Sequence, residues 1–275
     1  MHTFFKKPTS LLRMRRLSNK EIGPSRSEIL ALLARAPDPY ASLNYQIDIE
    51  PCRQMAKAIG SANKRHITLT PVLIKLFAHA IEQNPRFNQI VLGGRLYQVE
   101  DIHIANLVYI PDREVVTNII LKNPQQKSLN DVQQELFSAI AEAKNDFSTP
   151  PHPLIGFVTR LIYRYDIYRL IGLQQAFKIL YERDLISNII LSIHTYATPA
   201  NFTMVKDVIP TLNLTPRIHA SGPFKKPVLD NGILVSREIL DLHITTDHRI
   251  ISGIDSYQFG MSLEQIAANP QKYFA

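Results

Sequence analysis

A single cysteine, Cys52, stands among the 275 residues, so no disulfide can close within the chain, and a reducing compartment such as the cytoplasm is expected. The nine histidines are scattered. None shows the Cys/His or His–Glu spacing of a zinc site, and no metal is expected. Lys6, Lys7, Arg13, Arg15, Arg16 and Lys20 crowd the first twenty residues without an acid. No apolar stretch follows them, which excludes a secretory signal and leaves a transit peptide or a basic arm. The long apolar stretch at 154–181 is interrupted by Arg160, Arg164, Arg169 and Lys178, too often to span a bilayer. Net charge is +7 with a pI near 9.4, but the basic residues are dispersed. With no helix-turn-helix, zinc-finger or RNP pattern, no nucleic-acid partner is expected.

What is present is a core-forming composition: 45% hydrophobic and 20% charged residues, enough for one large or two small domains. Leu43, Tyr45, Ile47 and Ile49 alternate as a strand that ends at Pro51, a residue suited to opening the helix holding Cys52. Thr70 is expected to cap and Pro71 to open a helix through Ile81. Val72, Leu73, Leu76, Phe77, Ala80 and Ile81 would line one face, with Asn84-Pro85 as the stop. Short β-runs follow at 90–92, 95–97, 102–110 and 115–121. A helix over 128–144 is capped by Ser128. Further on, Pro150-Pro151-His152-Pro153 introduces a segment, Leu154 to Tyr181, that reads as two helices meeting near Gly172. They would cover the core, form a lid, or rest a basic amphipathic face on a membrane surface.

Lys226 to Val235 reads as a hairpin with Asn231-Gly232 at its turn. It leads into a strand at Leu240 to Thr245, and a helix follows at Asp255 to Ala268. Between strand and helix stands His248-Arg249-Ile250-Ile251-Ser252-Gly253. A histidine at an element end can be both held and reachable, as a general base must be, although a solitary one is more often structural. Gly253 lets the backbone turn sharply without covering the imidazole.

This layout resembles the catalytic domain of the acyltransferase component of 2-oxoacid dehydrogenase complexes, in which a K-x-P-V hairpin and a strand lead to D-H-R-x-x-D-G. Thr246-Asp247-His248-Arg249 carries the match, as do Thr70 to Ile81, Val99 to Ala105, Lys127-Ser128-Leu129 and Asn269-Pro270. Together the similarity extends over most of 40–147 and 187–273. It implies an α/β fold of the chloramphenicol acetyltransferase-like kind: a sandwich with a mixed β-sheet and flanking helices, here with an inserted helical pair. A basic N-terminal arm at 1–39, with Arg13-Met14-Arg15-Arg16 as its core, would precede a single catalytic domain at 40–275 that holds the insertion 148–186.

The resemblance further implies a coenzyme A-dependent acyltransferase. Acyl-coenzyme A would be a substrate, no cofactor would be covalently bound, and the acceptor would be a small thiol, hydroxyl or amine. His248 would be the base, its ring held partly by its own backbone carbonyl and by the turn beneath it. A hydroxyl on an earlier strand would stabilise the oxyanion. Counting back from Phe202-Thr203 places Ser192 there, with Thr195 in reserve because the bend at 197–201 lacks glycine. Family members form trimers whose sites lie between subunits, so a homotrimer is expected. Ser252 replaces the aspartate that pairs with an arginine and braces the histidine loop. A hydroxyl can accept one hydrogen bond but cannot form that ion pair. With no lipoyl or subunit-binding domain in 275 residues, the expected form is a free-standing enzyme. A catalytically inactive structural or assembly homologue is the alternative.

Overall fold

The computed structural model describes residues 14–33, 39–92, 95–111, 115–146, 189–194 and 216–274. The helices expected within 154–181, Thr195 and the bend at 197–201 lie outside the described residues.

A six-stranded mixed sheet organises the chain. Its order is β2 (Tyr40–Asp48), β9 (Ile233–Asp247), β8 (Arg217–Asp230), β7 (Ile189–His194), β5 (His103–Ile110) and β6 (Val115–Lys122). The pairs β5–β7 and β7–β8 are parallel and the others antiparallel, as the expected mixed sheet requires. A second, three-stranded sheet joins β1 (Met14–Arg16), β4 (Arg95–Val99) and β3 (Gln89–Leu92). It ties the basic arm to the body of the fold, because Met14 to Arg16 pair with Val99 to Tyr97.

The expected hairpin is present and larger than its motif. Asn231 (φ 49°) and Gly232 (φ 82°) both take positive φ, as a two-residue turn matched to strand twist demands. The two strands were expected to be short. Instead β9 runs unbroken from Ile233 to Asp247, and β8 reaches back to Arg217. Gly222-Pro223 does not end β8, because it falls where the register shifts between Ser221 and Phe224. A bulge tolerates residues that a regular ladder rejects.

Helices pack on one face of the large sheet. Leu43, Tyr45 and Ile47 of β2 turn toward them while Ser42, Asn44 and Gln46 are exposed. The Tyr45 hydroxyl donates to the carbonyl of Gly260 at 3.2 Å, in helix α6 (Gly253–Ala268). Phe87 stacks on Phe259 with ring centroids 4.1 Å apart. In α3 (Glu50–Ala62), Cys52 is fully buried, and burial pushes its thiol up to about 12.

Helix α4 (Leu69–Gln83) differs from expectation twice. Thr68, not Thr70, is the N-cap. Pro71 then falls at the third helical position, where its missing N–H would have no partner in the helix anyway. Nor is one face alone apolar: every residue from Pro71 to Ala78 is buried, Lys75 included. A helix enclosed this fully needs apolar residues all round. Lys75 is accommodated because its ammonium donates to the carbonyl of Lys127 at 2.5 Å. Burial pulls its pKa down to about 8. Helix α5 (Leu129–Asp146) opens as expected, with Ser128 Oγ accepting from Asp131 N–H at 3.2 Å.

Candidate active site

Strand β9 ends on Asp247, whose carbonyl accepts hydrogen bonds from the N–H groups of both Ile250 and Ile251 at 2.9 Å. That closes the turn carrying His248. The turn is fixed from outside as well, since His248 N–H donates to the carbonyl of Pro39 at 2.7 Å. Arg249 folds back on the fully buried Asp247. Its Nε meets the two carboxylate oxygens at 2.9 and 3.1 Å, and its Nη2 meets Oδ2 at 2.5 Å. The Asp247 carboxylate, through its hydrogen bond, holds the guanidinium above its ordinary pKa.

His248 itself is exposed. Its Nδ1 lies 2.8 Å from the carbonyl oxygen of Ile251. A carbonyl can only accept, so in the neutral ring Nδ1 carries the proton and Nε2 keeps a free lone pair. Of the two supports expected for the ring, the turn beneath it supplies the contact and the residue's own carbonyl does not. The chain turns so tightly after β9 that the carbonyl three residues on comes under the imidazole.

Ser252 sits at the N-cap of α6 in a capping box with Asp255. Asp255 Oδ2 accepts from Ser252 N–H at 2.9 Å and from its hydroxyl at 2.7 Å. The same oxygen accepts from Arg26 Nη2 at 3.1 Å, and Oδ1 accepts from Arg86. Burial pushes the Asp255 carboxyl up, but the hydrogen bonds from Ser252 and Arg86 outweigh it and hold it below the usual carboxylate range. Arg26 belongs to α2 (Pro24–Leu33) in the arm and also donates to the carbonyl of Ile250 at 2.5 Å. Burial first, and Arg86 second, lower the Arg26 pKa against the pull of Asp255.

The ion pair that Ser252 cannot form is made by another residue. A carboxylate–arginine pair is present, one helical turn further on. Sequence reasoning missed Arg26, Arg86 and Asp255. The Ser-x-x-Asp spacing at 252–255 ahead of an apolar helix was the available signal for the capping box. His248, Arg249, Arg26 and Arg86 together border a cleft of about 380 Å³. A larger cavity of about 470 Å³ lies between α3, the start of α4 and the hairpin. It is roughly 30 Å from His248, since some ten strand residues at about 3.3 Å each intervene.

Ser192 is placed in β7, where it pairs with His219 of β8. His219 in turn pairs with His243 of β9, and His243 with Asn44 of β2. The row is joined by hydrogen bonds at its β9–β2 end, where His243 Nδ1 meets Asn44 Oδ1 at 2.8 Å. Within one chain Ser192 and His248 do not meet. Two strand spacings and five strand residues separate them, roughly 15–20 Å at about 4.8 Å per strand and 3.3 Å per residue.

Among the described residues no group of three or more His, Cys, Asp or Glu could hold a metal ion, and no helix is long and apolar enough to cross a membrane.

No curated protein matches the chain significantly by sequence. Residues 16–152 match the sequence model described as 2-oxoacid dehydrogenases acyltransferase (catalytic domain). Among solved structures, an Azotobacter vinelandii dihydrolipoamide acetyltransferase, in which a serine, a histidine and an asparagine were investigated for catalytic roles, is similar over 92% of this chain and 90% of its own. The identity is 20% and the TM-score 0.62. A probable dihydrolipoamide acetyltransferase from Listeria monocytogenes 4b F2365 gives 14% identity and a TM-score of 0.61, with 92% and 93% covered. A chloramphenicol acetyltransferase gives 16% and 0.56, with 94% and 100% covered. These likenesses establish the fold, which is chloramphenicol acetyltransferase-like. Residues 16–152, just under half of the chain, thus match the 2-oxoacid dehydrogenase acyltransferase (catalytic domain) family, and the fold is the one that its solved relatives have.

Proposed function

We propose that this protein transfers an acyl group from acyl-coenzyme A to a small thiol, hydroxyl or amine, with His248 as general base. The observation that carries the proposal is the ring of His248, exposed and held through Nδ1 so that Nε2 is free to take a proton. In the reaction Nε2 removes the acceptor's proton as the acceptor's heteroatom bonds to the thioester carbon. The carbonyl oxygen becomes an oxyanion, which Ser192 stabilises. The carbon–sulfur bond then breaks, and the coenzyme A thiolate leaves with the proton held on the imidazolium.

The distance between Ser192 and His248 in one chain supports a site built between copies, with the histidine of one facing the serine of the next. A homotrimer is the assembly proposed, in a reducing compartment such as the cytoplasm. Arg26, Arg86 and Arg249 beside the cleft would draw the phosphates of coenzyme A toward it. The inactive-homologue alternative leaned on Ser252 and on the bend at 197–201. Asp255 offsets the first of these.

The test is to incubate the protein with acetyl-, longer-chain and branched acyl-coenzyme A and a panel of acceptors, following release of free thiol beside His248→Ala. Turnover that the substitution abolishes supports the proposal. Turnover no higher than that of His248→Ala for every donor overturns it.

A further inference from the structure

The carboxylate of Asp255 is the point where the basic arm, helix α4 and the histidine turn meet. Its Oδ2 receives Ser252 N–H, Ser252 Oγ and Arg26 Nη2, while Oδ1 receives Arg86 from the turn that follows α4. Both carboxylate oxygens are therefore committed, and the side chain is only 4% exposed. Arg26 bridges from this carboxylate to the carbonyl of Ile250. The next carbonyl along, that of Ile251, fixes Nδ1 of His248. The path from the carboxylate to the ring thus runs through one guanidinium and two consecutive peptide carbonyls.

We infer that Asp255, acting through Arg26, is the positioning residue for His248, and that it replaces the aspartate whose place Ser252 occupies. The inference rests on His248 being the base proposed above. Without the carboxylate, Arg26 loses the partner that aims it at Ile250, and the Ile250–Ile251 segment is free to rotate its carbonyls. The ring then loses the acceptor that keeps the proton on Nδ1. Ser252 contributes as a hinge pin, because its N–H and hydroxyl both end on the same carboxylate oxygen that Arg26 uses. A carboxylate at 252 would therefore lie beside Arg26. Arg26 comes from α2, so the seating of the arm is coupled to the state of the catalytic ring.

Asp255→Asn keeps the volume and puts an amide N–H₂ among the arginines. It is expected to lower kcat on the order of 10- to 100-fold, the range that a misplacement of about 1 Å produces. KM for acyl-coenzyme A should stay within about twofold, because the positioning acts on the base and not on binding. Ser252→Asp added to Asp255→Asn restores a carboxylate beside Arg26 and should recover most of the lost kcat. Ser252→Asp alone crowds two carboxylates and should not raise turnover. A merely structural role predicts no such rescue.

Nitrogen-15 NMR of the His248 ring reads the same brace without substrate. The native protein should show the Nδ1-protonated form, and Asp255→Asn a mixture of the two tautomers. Arg26→Lys keeps the charge, loses the fork and leaves Asp255 paired with Arg86. It supplies the same comparison should Asp255→Asn not fold. If native turnover does not depend on His248, the acyltransferase proposal fails while the ring measurement still decides the brace. An Nδ1-protonated ring unchanged in both single variants, or an Asp255→Asn kcat within twofold of native, overturns the inference.

Discussion

Arg249 reaches back two residues and closes a forked hydrogen bond on Asp247, a carboxylate with a side chain only 1% exposed. The pair lies directly beneath the histidine turn, and Asp247 Oδ1 also takes the N–H of Arg249. Removing the guanidinium would strand a buried charge, and breaking such a pair costs about 3–5 kcal/mol. Arg249→Ala should therefore unfold at markedly lower urea, by about 3 kcal/mol. A loss below about 1 kcal/mol would show that the carboxylate finds another partner or takes a proton.

Lys75 makes the pH dependence of stability specific. Its pKa falls from 10.5 to about 8 in the fold, so between those values the unfolded chain binds more protons. Stability from this group therefore rises as pH climbs from about 8 to 10.5. Cys52 acts oppositely, since its thiol is pushed from 9.0 up to about 12 and stability from it falls as pH rises through that range. Urea midpoints of native protein and Lys75→Met at pH 7.5 and 10 separate the two contributions, because both proteins share Cys52. The native protein should gain relative to the variant on going to pH 10. A constant difference would contradict a depressed lysine.

Gly60 is required by close approach. A Cβ there would lie 2.4 Å from the carbonyl oxygen of Arg65, a backbone atom that accepts no crowding, and Gly60 also takes the Arg65 N–H on its carbonyl at 2.8 Å. Gly60→Ala should destabilise by about 1–3 kcal/mol, the usual cost of overpacking. Thermal unfolding checks it, and an unchanged midpoint would mean that the α3–α4 connection yields freely.

A site shared between copies makes a prediction that a site within one chain does not. His248→Ala and Ser192→Ala should each be nearly inactive, with the serine change costing on the order of 10²–10³. Co-expressing the two variants should restore turnover to about a quarter of the native level, the share of interfaces that receive one intact residue from each side of a cyclic assembly. No recovery, or a stable monomer by sedimentation, would oppose the shared site.

Local chemistry made the hairpin turn, the Ser128 cap and the exposed His248 legible in the sequence. Asn231-Gly232 and the strand-to-helix handover are each written within a few neighbouring residues. The brace on His248 was not, because Arg26 and Asp255 are 229 positions apart and only the assembled fold brings them together. Lys75 escaped notice for a related reason: a lysine in an apolar helix reads as the solvent side until all sides prove enclosed. Gly222-Pro223 is accommodated as an irregularity within β8. The start of α4 was misjudged because Pro is also accepted at its third position.

The fate of Cys52 bears on how activity can be measured at all. The chain's one thiol is fully enclosed and resists ionisation, so it should be nearly silent toward thiol-reactive dyes while the protein is folded. Each coenzyme A released can then be counted by its colour against a near-zero protein background. The same dye, added along a denaturant series, reports unfolding by the moment Cys52 begins to react.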